Sequence, residues 1–153
     1  YLMENGINIR IFGPNWEKSK YYEYFISKIN GKIEARYGEL YNQTINEAKI
    51  ALVFLSKLNS DTYTTRCFEI PATNTMMISE YTEDLAMNMF KEGKEADYFR
   101  NKEELLKKLQ YYLKEDGKRK EIAKAGFTRV QEEGYEIIDF AEKILQQLRN
   151  EKL

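Results

Sequence analysis

The sequence predicts an α/β protein, an open parallel sheet with flanking helices and a helical C-terminal third. Three observations predict it. The run "IALVFL" at residues 50–55 is apolar almost throughout, as expected of a strand covered on both faces of a parallel sheet. Short apolar runs, "TMMIS" at 75–79 and "ADYF" at 96–99, recur beyond it with polar connections between. From residue 101 onward the apolar positions fall at helical spacing, so strands and helices alternate and then give way to helices alone. The expected architecture is Rossmann-like, with right-handed crossovers.

In chain order, "GINIRIFG" at 6–13 holds Ile7, Ile9, Ile11 and Phe12 and is closed by Gly13-Pro14, which predicts a first strand and a tight loop. "KIEARYG" at 32–38, between Gly31 and Gly38, predicts a weaker strand. The intervening "YYEYFISKI" fits either a helix or a packed loop. Tyr41, Ile45 and Ala48 at i, i+4, i+7 predict a helix over residues 39–48. After the central strands, Asn101 and Glu104 form a capping pair for a helix carrying Leu105, Leu106, Leu109, Tyr112 and Leu113 on one face, ending at Asp116-Gly117. A second helix carries Ile122, Gly126 and Val130, and a third Ile137, Ala141, Ile144, Leu145 and Leu148. Gly126 inside a helix costs about 1 kcal/mol relative to Ala, which predicts close helix packing there. No repeat, low-complexity tract or long linker interrupts the pattern, so residues 1–153 are expected to form a single domain. The chain begins with Tyr1 rather than Met, and it is expected to be a fragment of something longer.

Composition narrows the chemistry. Twenty-four basic and 25 acidic residues leave a net charge of −1, which argues against a nucleic-acid partner. No apolar stretch approaches the roughly 18 residues of a membrane span, and a cytoplasmic location is expected. The one cysteine, Cys67, permits no internal disulfide and suits a reducing compartment. There are no histidines, so Ser-His-Asp and Cys-His catalysis and His-based zinc sites are excluded within the chain. Glu92, Glu95 and Asp97 read as charged surface, and no metal site is expected. Chemistry is left to carboxylates, Lys, Arg, Tyr, hydroxyls and backbone dipoles.

The richest stretch is "SDTYTTRCFEIPAT" at 60–73, directly after the core strand. In open α/β sheets ligands bind beyond the carboxyl ends of the strands. A helix starting near residues 64–67 would aim unpaired N–H groups and the positive end of its dipole at such a ligand. With Thr64, Thr65 and Arg66 as donors the arrangement suits a phosphate or diphosphate, and Glu69 suits sugar hydroxyls. The same residues also fit a structural role, with a threonine N-cap, an Arg66–Glu69 pair and Asp61 in a turn. Gly13, Asn15 and Trp16 could border a ligand or merely pack; Tyr37 and Gly38 lie where a nucleobase could sit or where a strand simply ends. Thr82 with Glu83 reads as a helix start, Lys57 as a solvated loop lysine and Cys67 as buried.

The stretch continues into an ordered set of short motifs: R-x-F-E-x-P-A at residues 66–72, F-x-x-G-x-E-A at 90–96, Y-Y-L at 111–113 and I-A-x-A-G at 122–126. Upstream stand L-x-x-x-G-I at 2–7, I-F-G-x-x-W at 11–16 and I-N-x-A-K-I-A-L at 45–52. Together they resemble, over nearly the whole chain, the C-terminal donor-binding half of CgeB-like (spore-maturation-protein) glycosyltransferases, members of the group-1 glycosyltransferases of GT-B fold. The resemblance implies a nucleotide-diphosphate-sugar donor, most simply a UDP-sugar, bound as substrate with no other cofactor and no metal. Asp61 and Glu69 match the family's paired acids with seven residues between them, which the resemblance implies as catalytic and compatible with a retaining reaction. Glu69 would accept from the ribose hydroxyls. Thr64, Thr65 and Arg66 would serve the phosphates, and Gly13 and Tyr37 the donor's edge.

The sequence also departs from the family. Ala72-Thr73-Asn74 stands where relatives have A-C-G, and Asn is the residue best able to replace Gly at positive φ. The family's preceding strand, with its diphosphate arginine, and its N-terminal acceptor domain are missing from this sequence. A gap or exposed sheet edge is therefore expected, closed by repacking or by a strand from a neighbouring chain in a homo-oligomer. The acceptor is unknown. The competing reading is a non-catalytic α/β interaction module derived from a glycosyltransferase domain; a receiver-like module would need an acidic pair after its first strand, and "IFGPNW" offers none.

Overall fold

The computed structural model describes residues 1–29, 32–135 and 137–150. The sheet has three parallel strands, β1 (Ile50–Val53), β2 (Met76–Glu80) and β3 (Asp97–Phe99), in the order β1-β2-β3. Ile50 lies opposite Met76, and Ile78 opposite Asp97. Around the sheet lie α1 (Tyr22–Lys28), α2 (Gly38–Asn46), α3 (Arg66–Ala72), α4 (Lys102–Lys114), α5 (Asp116–Glu133) and α6 (Ile137–Asn150). A short 3₁₀ turn spans Trp16–Lys18, and a π-helical segment Asp84–Met89 links β2 to β3. This is the open parallel α/β architecture the sequence predicts.

Alternation along β2 divides the core into two faces. Met77 packs with Val53, Leu55, Cys67, Ile70 and Tyr98 beneath α3. Met76 and Ile78 pack with Phe99, Leu105, Leu109 and Ile122 beneath α4 and α5. The capping pair forms as expected: the Glu104 N–H donates to Asn101 Oδ1 at 2.8 Å, and Glu104 Oε2 accepts from the Arg100 N–H at 2.7 Å. Asp116-Gly117, expected to end α4, instead opens α5, where Asp116 pairs with Arg119 and Lys120. Those two cations hold the Asp116 carboxyl at about 2, Lys120 contributing most. Gly126 is where two elements meet: a Cβ there would stand 2.4 Å from the Glu95 carbonyl oxygen and 3.4 Å from Pro71 Cβ. The close packing expected at this glycine is present. Asn74 adopts φ 58°, the left-handed conformation anticipated for it.

The N-terminal third departs from expectation. Residues 7–12 and 32–37 run extended but join no strand ladder. A single backbone bond, Gly13 N–H to the Glu34 carbonyl at 3.2 Å, links the two segments. A strand needs a partner for its peptide groups, and among the described residues β1 pairs on one side only, with β2. The uncovered side of β1 shows in its burial, since Ile50, Ala51 and Leu52 are only half-buried. Between the extended segments lies a cavity of about 420 Å³. The ambiguous "YYEYFISKI" supplies helix α1. Gly31, expected to precede the second strand, lies outside the described residues, as do the side chain of Ile137 and its expected place on the apolar face of α6.

Candidate functional site

The site grows from the carboxyl ends of β1 and β2. The peptide N–H of Leu55, two residues past β1, donates to Glu80 Oε2 at 2.7 Å, and Lys57 Nζ pairs with Glu80 Oε1 at 3.1 Å. The loop then folds back, with the Asp61 N–H donating to the Ser56 carbonyl and Ser60 at φ 53°. Thr82 Oγ1 donates to the Thr62 carbonyl at 2.7 Å and accepts from the Leu85 N–H at 3.2 Å. Glu80 and Thr82 therefore act as bolts from β2 that fix the course of residues 55–62, and Thr82 also caps the π-helical segment. Lys57 is solvated, as expected, apart from this one pair.

The loop delivers the chain into α3. Its first turn closes tightly, the amides of Cys67 and Phe68 bonding back to the carbonyls of Thr64 and Thr65. This leaves fewer free N–H groups than an ideal helix start; the Thr65 and Arg66 amides take no acceptor among the described residues. Thr65 stands at the N-cap position without a side-chain cap bond. Thr64 Oγ1 is buried, with no well-formed hydrogen bond, beside the buried Cys67 and Ser79. Burial pushes the Cys67 thiol up, outweighing its neighbouring hydroxyls, so Cys67 is an unreactive core residue.

Arg66 and Glu69 both lie exposed on α3 and form no ion pair with each other among the described residues. Tyr41, projecting from α2, stands with both. Its hydroxyl donates to Glu69 Oε2 at 2.7 Å, and Arg66 lies near enough to act on it. Burial, then the bond to Glu69, pushes the phenol up to about 12. Asn46 Nδ2 donates to the Thr73 carbonyl at 2.6 Å, so α2 is fastened to α3 at both ends of the contact. Tyr41 was legible only as an apolar helix position. Nothing in the spacing says that a neighbouring helix lays its hydroxyl on Glu69.

The remaining candidates are not drawn into this group by any bond. Asp61 is half-buried in the loop, its carboxylate without a partner among the described residues. Gly13, at φ 146°, sits against Trp16, and Trp16 packs edge-on to Phe25 with centroids 5.6 Å apart. Tyr37 is 74% exposed and precedes α2, which Gly38 begins at φ 56°.

Asp97 corrects the expectation of a charged surface. It is buried, bonded by Lys108 Nζ at 2.7 Å and the Tyr112 hydroxyl at 2.6 Å. Lys108 also reaches Glu92 and Glu104, and Arg100 grips Glu92 through both terminal nitrogens at 3.0 and 2.9 Å. The Arg100 bond chiefly lowers the Glu92 pKa. A short apolar run ending in acid and aromatics cannot reveal that its aspartate turns inward to meet a lysine 11 residues on.

With the geometry in place, comparison with known proteins assigns the family. Residues 2–146 match the glycosyl transferase-like family. The chain belongs to that family. No curated protein and no solved structure matches it. The matched span takes in every element from the first extended segment into α6, with the β1–α3 loop near its middle. No helix of the described residues is long and apolar enough to cross a membrane.

Proposed function

We propose that this glycosyl transferase-like chain is the donor-binding part of a CgeB-like glycosyltransferase, taking a nucleotide-diphosphate sugar. The observation that carries the reading is Arg66 standing beside Glu69 without being neutralised by it, with Tyr41 holding the carboxylate at 2.7 Å. Both residues sit on the helix that follows β1, where open parallel sheets place their ligands. Arg66, with the Thr65 and Arg66 amides, offers cationic and N–H donors to a diphosphate. Glu69 offers an acceptor to ribose hydroxyls.

In the transfer, the bond from the sugar's anomeric carbon to the diphosphate oxygen breaks, and the nucleoside diphosphate leaves as an anion. The acceptor hydroxyl forms the new bond to the anomeric carbon and gives its proton to the departing diphosphate oxygen. Stabilising the departing charge is the main task, and fixed donors do it by the logic of an oxyanion hole, without requiring a metal. The acids Asp61 and Glu69 fit a retaining course. An acceptor-binding domain would complete the active site, and the chain alone is expected to bind donor weakly and turn over little.

Calorimetry with UDP, GDP and their sugars tests the reading. The expected result is saturable binding that Arg66→Ala and Glu69→Ala each weaken about 10-fold or more, the range of a charge-assisted hydrogen bond. Binding indifferent to both substitutions would overturn it. The surface exposure of Arg66 and Glu69 favours a second reading, an interaction module derived from a glycosyltransferase. It predicts no nucleotide binding by any of these ligands.

A further inference from the structure

We infer that the cavity between the two extended segments is a second ligand site, for an organic phosphate whose phosphoryl group is carried on an apolar or aromatic body. The inference is independent of the donor site, since it uses none of the residues around α3. The cavity holds about 420 Å³, several times what a bare phosphate needs and within the range of small-molecule sites. Its charge is one-sided: Arg10, Lys32 and Arg36 line it against the single carboxylate of Glu34. Glu34 offers Arg36 only a long contact of 3.9 Å, and Arg10 and Lys32 have no ion pair among the described residues.

The two arginines share one ring. The Arg10 guanidinium carbon lies 5.1 Å and that of Arg36 5.4 Å from the centroid of Phe12. Ring-face attraction holds both guanidinium groups there without neutralising either charge. Arg36 Nε is buried with no hydrogen-bond partner among the described residues, which leaves this cation under-satisfied. A doubly charged oxyanion with several acceptor oxygens answers the one-sided charge and the two un-neutralised guanidinium groups, because guanidinium forks bind phosphoryl oxygens in pairs. Ile9, Ile11 and Ile29 line the rest of the cavity and fit an apolar body rather than further charge.

The test uses the whole chain and two probes, phenyl phosphate and inorganic phosphate, followed by NMR titration at constant ionic strength. Phenyl phosphate is expected to saturate, shifting amides of residues 8–12 and 32–36, at least about 5-fold tighter than inorganic phosphate. Arg10→Gln and Arg36→Gln should each weaken it about 10-fold. Lys32→Glu, at an exposed position the fold does not depend on, should weaken it as well, and Arg66→Ala should leave it unchanged. Absence of saturation would overturn the inference. So would equal affinity for the two probes, indifference to all three cavity substitutions, or loss of binding in Arg66→Ala. That last outcome would instead assign the phosphate to the α3 site and support the proposed donor reading, so the two failures are distinguishable.

Discussion

The block from β2 to α5 and the extended segments at residues 7–12 and 32–37 meet the same demand, satisfying extended backbone, with opposite outcomes. β2 has a neighbour on each side, fully buried side chains on both faces and two helices over one of them. Residues 7–12, with three isoleucines to the one in β2, are richer in β-branched side chains but have no ladder, a single backbone hydrogen bond to the other extended segment from the adjoining Gly13, and a cavity where a neighbour would stand. A strand's pattern of apolar residues states what it needs; only partners distant in sequence decide whether the need is met.

Substitutions break or sharpen this contrast. The largest effect is expected from Ile78→Ala, which empties a fully buried site in β2 and should cost about 3–4 kcal/mol in denaturant unfolding. Ile11→Ala, at a half-buried position in the first extended segment, should cost about 1 kcal/mol or less. Equal losses at the two sites would show that the segments are equally packed. Next comes Lys108→Met, which strands the buried Asp97 carboxylate and should cost about 3 kcal/mol, while Arg10→Met on the cavity wall should leave stability nearly unchanged.

Gly126→Ala should follow, at about 2 kcal/mol, because its methyl group collides with backbone rather than with a flexible side chain. Smaller still is an acid effect confined to the helical block. The Asp116 carboxyl titrates at about 2 instead of 3.8, so the stability it contributes is complete above pH 3.8 and is lost as the pH falls towards 2. Unfolding midpoints measured across that window should fall less in Asp116→Asn than in the parent chain. The smallest effect concerns α2 and α3. Tyr41→Phe should cost about 1 kcal/mol and remove one late-ionising tyrosine from an ultraviolet titration, the one pushed up to about 12, while the more strongly raised Tyr98 and Tyr112 remain. Because this pKa is raised, the linked stability is present below pH 10 and lost as the pH rises through about 12.

What could be read from the chain follows the same division. The three ladder strands, helix α2, the Asn101–Glu104 cap, positive φ at Asn74 and the tight contact at Gly126 were all legible. Each rests on local stereochemistry or on an apolar run long enough to demand burial. The first two strands were over-read because alternation reports a preference and not a partner. The inward turn of Asp97 and the bond from Tyr41 to Glu69 join residues 11 and 28 positions apart. No local rule encodes such distances. Asp116-Gly117 was read as a stop because Gly favours helix ends, yet the charges of Lys120 and Arg119 recruit Asp116 as a helix start. The polar stretch after β1 was visible as a candidate site, but its bolts, Glu80 and Thr82, belong to another strand's end.

The missing side chain at position 126 has a reach beyond its own helix. It lets α5 lie against Pro71, two residues beyond Glu69 on the same short helix, so the 18-residue α5 acts as the bench on which the candidate acid is mounted. Bulk added there would tilt Glu69 away from Tyr41 without touching either. The position of the candidate carboxylate is thus set from behind, by an atom that is not there.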